Sequence, residues 1–104
     1  MTASDVKVSD NEARHRYEIS VDGRVAGYAE YQDVAGARMM PHTEIEEGHE
    51  GQGLGGTLVR FALDDIRARG VHVLPMCPFV ASFMRDHREY ADLVQPGQRA
   101  VFGL

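Results

Sequence analysis

The residues with the plainest capacity for chemistry are the glycines of Glu50-Gly51-Gln52-Gly53-Leu54-Gly55-Gly56, the thiol of Cys77, and the pair His42 and Glu44. Glycine carries no Cβ, so its backbone can approach an oxyanion closely, and the free amides of a first helical turn point at such a group. Phosphate or pyrophosphate is the natural ligand of this kind of turn, which also serves simply to make a sharp corner. The segment Gly51 to Gly56 satisfies G-x-G-x-x-G, the dinucleotide-binding pattern. That pattern needs an acidic residue about 20 positions on to hold the ribose, and Val71 to Met84 contains no Asp or Glu. A Walker loop is excluded because no Lys-Ser/Thr follows the glycines.

Cys77 stands just before Pro78, at the expected start of a helix, a position that favours anions. It can serve as nucleophile, as proton donor, or as a small apolar residue. His42 offers an imidazole, the side chain suited to taking up a proton near neutral pH. Glu44 shares its strand face by the period of two, and so can orient the imidazole or act as the base itself. The plainer reading of both is a solvated strand face. His15, His49 and His72 have no comparable context.

These groups must be positioned by elements that Gly and Pro punctuate. Residues 1 to 12 read as a frayed lead-in. Tyr17, Ile19 and Val21 alternate with Glu18 and Ser20, and Asp22-Gly23 makes a two-residue turn into Val25, Tyr28 and Tyr31, a hairpin. After a turn at Ala35-Gly36, Arg38 to Ile45 reads as a third antiparallel strand, with Pro41 marking an edge or a bulge. From Gly53 to Arg69, Leu54, Leu58, Phe61, Ala62 and Ile66 form one apolar face opposite Thr57, Arg60, Asp64 and Arg67, an amphipathic helix that Gly70 can cap. Val71 to Met76 reads as a short buried strand, and a second helix from Pro78 carries Phe79, Val80, Phe83 and Met84 toward the core. The fold class is α+β, mainly antiparallel, with one helix following the glycine loop, one further strand and a C-terminal helix.

With 104 residues and 43% hydrophobic content, the chain is expected to build one domain with one core. Eleven Lys+Arg against 16 Asp+Glu give a net charge of -5 without any basic cluster, which argues against nucleic acid and anionic membranes as partners. No apolar run approaches the roughly 18 residues of a membrane span, and the reading is cytoplasmic, with a monomer plausible. A single cysteine forms no internal disulfide, and no Cys pair or His-x-x-x-His spacing suggests a metal.

The loop resembles the pyrophosphate loop of the GNAT superfamily of N-acetyltransferases, Q/R-x-x-G-x-G/A, with Glu50 at the position of Gln or Arg. The resemblance extends over residues 14 to 94. It is carried by His42-Thr43-Glu44-Ile45, Leu58-Val59, Ala62-Leu63-Asp64, Val73, Pro75, Cys77-Pro78-Phe79-Val80 and His87-Arg88-Glu89-Tyr90, in the order of the minimal, single-domain branch of that superfamily. The resemblance implies an acetyl-CoA-dependent N-acetyltransferase. Its pyrophosphate site would be the backbone of Gln52, Gly53, Leu54, Gly55, Gly56 and Thr57. The pantetheine arm would lie between Ile45 and the strand ending near Met76. His42, Glu44 and Cys77 would then sit near the acetyl group, with His42 or Glu44 taking the proton of an attacking amine. Phe83 stands where larger members carry a tyrosine acid, leaving Tyr90 as donor or as a core aromatic. Glu44, Glu46, Glu47 and Glu50 suit a cationic amine acceptor. The competing readings are a non-catalytic CoA or acyl-CoA binding module, a covalent route through acetyl-Cys77, and protein interaction through the acidic loop.

Overall fold

The computed structural model describes residues 5–104. Asp22 and Gly23 both adopt left-handed backbone, with φ of 51° and 84°, the geometry that matches a two-residue turn to the twist of its strands. The turn joins β2 (Arg16–Val21) to β3 (Arg24–Glu30), as the alternation anticipates. On the other side of β2 lies β1 (Val6–Asn11), paired antiparallel from Val6 opposite Val21 to Asn11 opposite Arg16. This overturns the reading of residues 1 to 12 as a frayed lead-in; residues 1–4 lie outside the described part. β1 is held by its backbone ladder rather than by burial. The Asp5 amide donates to Asp22 Oδ1 at 2.8 Å and the Asp22 amide to the Asp5 carbonyl at 2.8 Å, contacts that leave no trace in a hydropathy pattern.

The stretch expected as one strand over Arg38 to Ile45 is two. β4 (Gln32–Val34) and β5 (Ala37–Met39) form a hairpin, and β6 (Thr43–Ile45) follows after a break at residues 40–42. Pro41 sits in that break, because proline cannot donate to a ladder. β6 pairs antiparallel with β3, completing a four-stranded sheet in the order β1-β2-β3-β6. β5 pairs in parallel with β7 (His72–Leu74) in a second sheet, β4-β5-β7. β7 is shorter than the expected Val71 to Met76.

α1 (Leu54–Arg69) packs Leu58, Val59, Ala62, Leu63 and Ile66 into the core together with Tyr17, Ile19, Met40 and Val73. Gly53 is its N-cap and Gly70, at φ 72°, its C-cap. α2 (Pro78–Asp86) buries Val80 and Met84. Phe61 and Phe79, both expected to face the core, are 38% and 45% exposed. They sit at the flanks of their helices' apolar arcs, where a spacing rule does not distinguish core from rim. Two 3-10 segments, Arg88–Leu93 and Pro96–Phe102, close the chain. No helix among the described residues is long and apolar enough to cross a membrane.

One end of the molecule is clamped by Arg38, only 4% exposed. Its guanidinium donates to Asp33 at 2.8 and 3.1 Å and to the Tyr17 hydroxyl at 2.8 Å, and lies 3.7 Å from the centre of the Tyr31 ring. Tyr17 in turn donates to Asp65 of α1 at 2.7 Å, and Tyr31 to Asp10 of β1 at 2.7 Å. Both sheets and α1 are therefore tied at the level where β5 and β7 run together.

Candidate active site at a strand divergence

β5 and β7 stay in register from Ala37 opposite His72 to Met39 opposite Leu74. Two further backbone bonds carry the contact on, from the Met40 amide to the Leu74 carbonyl at 2.9 Å and from the Cys77 amide to the Met40 carbonyl at 2.8 Å. Beyond them the two segments part. Thr43–Ile45 turns away to pair with β3, whereas Pro78 begins α2. Gly27 permits the first of these moves: a Cβ there would sit 2.6 Å from Ile45 Cδ1 and 2.8 Å from the Glu44 carbonyl oxygen. The result is a wedge with β6 on one side and Met76 to Phe79 on the other.

At the apex of the wedge Cys77 is the N-cap of α2, 4% exposed, and its Sγ donates to Thr43 Oγ1 at 3.5 Å. At the mouth lies the glycine loop. Gly48, Gly51 and Gly53 have φ of 94°, 79° and 75°, conformations that L side chains adopt only with strain. They turn the chain so that the amides from Gly53 to Gly56 open α1 without hydrogen-bond partners among the described residues. The Thr57 amide and hydroxyl both bond the Gly53 carbonyl at 3.2 Å, which narrows the expected donor run of Gln52 to Thr57 at its helical end. Between loop and wedge is a cavity of about 270 Å³ bordered by Ile45, His49, Leu54, Gly55 and Phe79. His49, without context in the sequence, has its Nδ1 buried with no hydrogen-bond partner among the described residues. Met76 is 57% exposed, so the outer lip of the wedge is apolar and solvated.

Strand alternation puts Thr43, whose hydroxyl meets Cys77 Sγ, on one side of β6 and Glu44 on the other, and His42, just before the strand, lies on the Glu44 side beside Tyr28. Tyr28 of β3 lies directly opposite Glu44 and donates to its Oε2 at 2.7 Å, and the His42 and Tyr28 ring centres are 6.0 Å apart. The structure thus gathers His42 and Glu44 around Tyr28, a residue that sequence reading treated only as part of a strand. Glu44, Ile45, Glu46, Glu47 and Glu50 border a second cavity of about 630 Å³ on this face, with Arg16 and Tyr28 opposite. Tyr90 borders neither cavity. It is buried, donates to Asp64 at 2.7 Å and accepts from Arg60 at 3.1 Å, and burial together with the Asp64 bond pushes its phenol upward. It is a core aromatic.

Residues 16–93, three quarters of the chain, match the family model described as GCN5-related N-acetyl-transferase. The chain belongs to that family. The fold has solved counterparts. The ribosomal-protein-alanine N-acetyltransferase from Brucella melitensis biovar Abortus 2308 aligns over 90% of this chain and 92% of its own at 15% identity, with a TM-score of 0.57. The ribosomal-protein-S18-alanine N-acetyltransferase from Escherichia coli aligns over 56% of this chain at 24% identity with a TM-score of 0.53, and the match spans 38% of that enzyme's length. At these identities the likeness is one of fold. A search of curated proteins finds no match.

For a GNAT domain the cosubstrate to test against the site is acetyl-CoA, which supplies an activated acetyl thioester. The residues fit it. The partnerless amides at the head of α1 suit a pyrophosphate, and the apolar lip at Ile45, Met76 and Phe79 suits an extended aliphatic arm.

Proposed function

We propose that this protein transfers an acetyl group from acetyl-CoA to an amine, acting as a single cytoplasmic domain. The observation that carries the reading is the divergence of β6 from Met76 and Cys77, which opens an apolar wedge running from the amides of Gly53 to Gly56 down to a thiol. In this reading those amides bind the pyrophosphate, and the Ile45 backbone lies along the pantetheine arm. A backbone amide near Ile45 polarises the thioester carbonyl. Glu44 or His42 takes the ammonium proton, which leaves the nitrogen lone pair free to form the N–C bond. As the C–S bond breaks, the nitrogen gives up its second proton to water, and Cys77 or water returns one to the leaving sulfur. The net change releases one proton to solvent per acetyl transferred from sulfur to a cationic amine.

Glu44, Glu46, Glu47 and Glu50 favour such a cation, so the acceptor panel is spermidine, a lysyl peptide and a peptide with an N-terminal alanine. The last is included because the two structural counterparts are named for alanine acetylation. Free-thiol release from acetyl-CoA, with the acetylated amine identified by mass, tests the reading. Amine-dependent turnover is expected. Saturable acetyl-CoA binding with no turnover on any amine would instead make the protein a CoA-binding module, and accumulation of acetyl-Cys77 before transfer would make the route covalent.

A further inference from the structure

On the sheet face away from α1, Glu18, Tyr28 and Glu44 are cross-strand neighbours in β2, β3 and β6. Arg16 ties the row together. Its Nε donates to Glu18 Oε2 at 2.8 Å, and its guanidinium carbon lies 4.5 Å from the centre of the Tyr28 ring. The Tyr28 ring is therefore held by a cation on one side while its hydroxyl reaches Glu44 Oε2 at 2.7 Å. Glu44 is otherwise an exposed side chain on a strand of three residues, free to sample rotamers. A single short bond from a ring that is itself held removes much of that freedom and occupies one of the two carboxylate oxygens. His42, the competing base, makes no side-chain hydrogen bond among the described residues and has only the 6.0 Å ring contact with Tyr28.

We propose that Tyr28 is a positioning residue, whose phenol holds the Glu44 carboxylate in one orientation beside the wedge and leaves Oε1 to take the proton of the incoming amine. The proposal rests on the acetyl-transfer reading above. The proton moves from the ammonium nitrogen to Oε1, the electron pair of that N–H bond stays on nitrogen as the nucleophile, and the carboxyl then loses the proton to water. Nothing is oxidised or reduced.

The test uses the full chain with Tyr28→Phe, Glu44→Gln and the double variant. Tyr28→Phe keeps the ring and its stacking on Arg16, so the fold is expected to remain. With acetyl-CoA and the fastest amine of the panel, Tyr28→Phe is expected to lower kcat about tenfold by misplacing the base, while the KM for acetyl-CoA stays within about twofold. Introduced into Glu44→Gln, where no base remains to be positioned, the same change is expected to cost nothing more. A second readout does not depend on turnover. In carbon-13 spectra of the glutamate carboxyls at one fixed pH, loss of the phenol hydrogen bond in Tyr28→Phe is expected to move the Glu44 resonance and leave Glu46 and Glu47 in place. The other titratable and charged groups around Glu44, namely Arg16, Glu46, Glu47 and Glu50 of the same cavity, Glu18 and Glu30 of the neighbouring strands and adjoining His42, are unchanged by the variant. Turnover with an unmoved Glu44 resonance, or losses that multiply fully in the double variant, would overturn the positioning role alone. Absence of wild-type turnover on every amine would overturn the acetyl-transfer reading and this role with it.

Discussion

Cys77 and Glu44 share the neighbourhood of β6 but differ in kind. The Cys77 amide supplies the last bond of the strand divergence, the residue is 4% exposed, and its one side-chain partner among the described residues is Thr43. Those are the marks of a group that shapes the apex first and donates a proton second. Cys77→Ser keeps the size and a donor, so the variant is expected to fold and to acetylate about tenfold more slowly. Intact-mass measurement without an acceptor should find no acetylated protein. Glu44, exposed and held by Tyr28, has the geometry of a base. Glu44→Gln is expected to lower kcat by about two orders of magnitude, whereas His42→Ala should change it about threefold or less. Steady-state rates for the two variants decide between them, and the reverse order would move the base to His42.

At the level of elements, α1 was readable because Leu54, Leu58, Ala62 and Ile66 recur every four residues and Gly70 ends the run. β2 and β3 were readable from their alternation and from Asp22-Gly23. β1 was not, because pairing with β2 rather than burial holds it. The wedge was only half readable. Pro41 marked a break, but the register that sets Tyr28 against Glu44 depends on residues 31–42 folding back through their own hairpin, and the pairing of Tyr28 with Glu18 lies beyond a bulge between Ile19 and Ser20. Gly55 shows the same limit. Its sequence position suggested close approach to a phosphate, while the structure adds that a Cβ there would lie 2.6 Å from Phe79 Cζ. The Phe79 ring is partly exposed and can swing aside. Gly55→Ala is therefore expected to shift Tm by only a few degrees, while displacing the ring at the mouth of the wedge and weakening acetyl-CoA binding about tenfold. Adding Phe79→Ala should restore most of that affinity in a calorimetric titration, and failure to do so would place the effect at the loop backbone.

Across the whole molecule, the Arg38 clamp joins β1, β2, β5 and α1 at the end where the sheets converge, leaving the other end open. The Arg38 guanidinium holds the Asp33 carboxyl below its usual range; at Asp65, upward pressure from burial is outweighed by bonds from Tyr17 and Arg69. Carboxyls depressed in the folded state contribute stability that is present above their unfolded value of about 4 and is lost as pH falls through the folded value. Burial and the bond to Asp10 push Tyr31 up to about 12, and burial with the bond to Asp65 pushes Tyr17 higher still. Their contribution is present below the unfolded phenol value of about 10 and is lost as pH rises beyond it. Thermal melts across pH are expected to fall on both sides, below about pH 4 and above about pH 10. Arg38→Met should cost about 3 kcal/mol and flatten the acid limb.

The open end is where the acetyl-CoA reading stands or falls, and an amide-resolved titration of the full chain with acetyl-CoA examines it most directly. Saturable shifts in the amides of Gly53 to Gly56 and of Ile45, with β1 and β4 unmoved, are the predicted result. No saturable shift at millimolar acetyl-CoA, or shifts confined to residues away from the wedge, would contradict it.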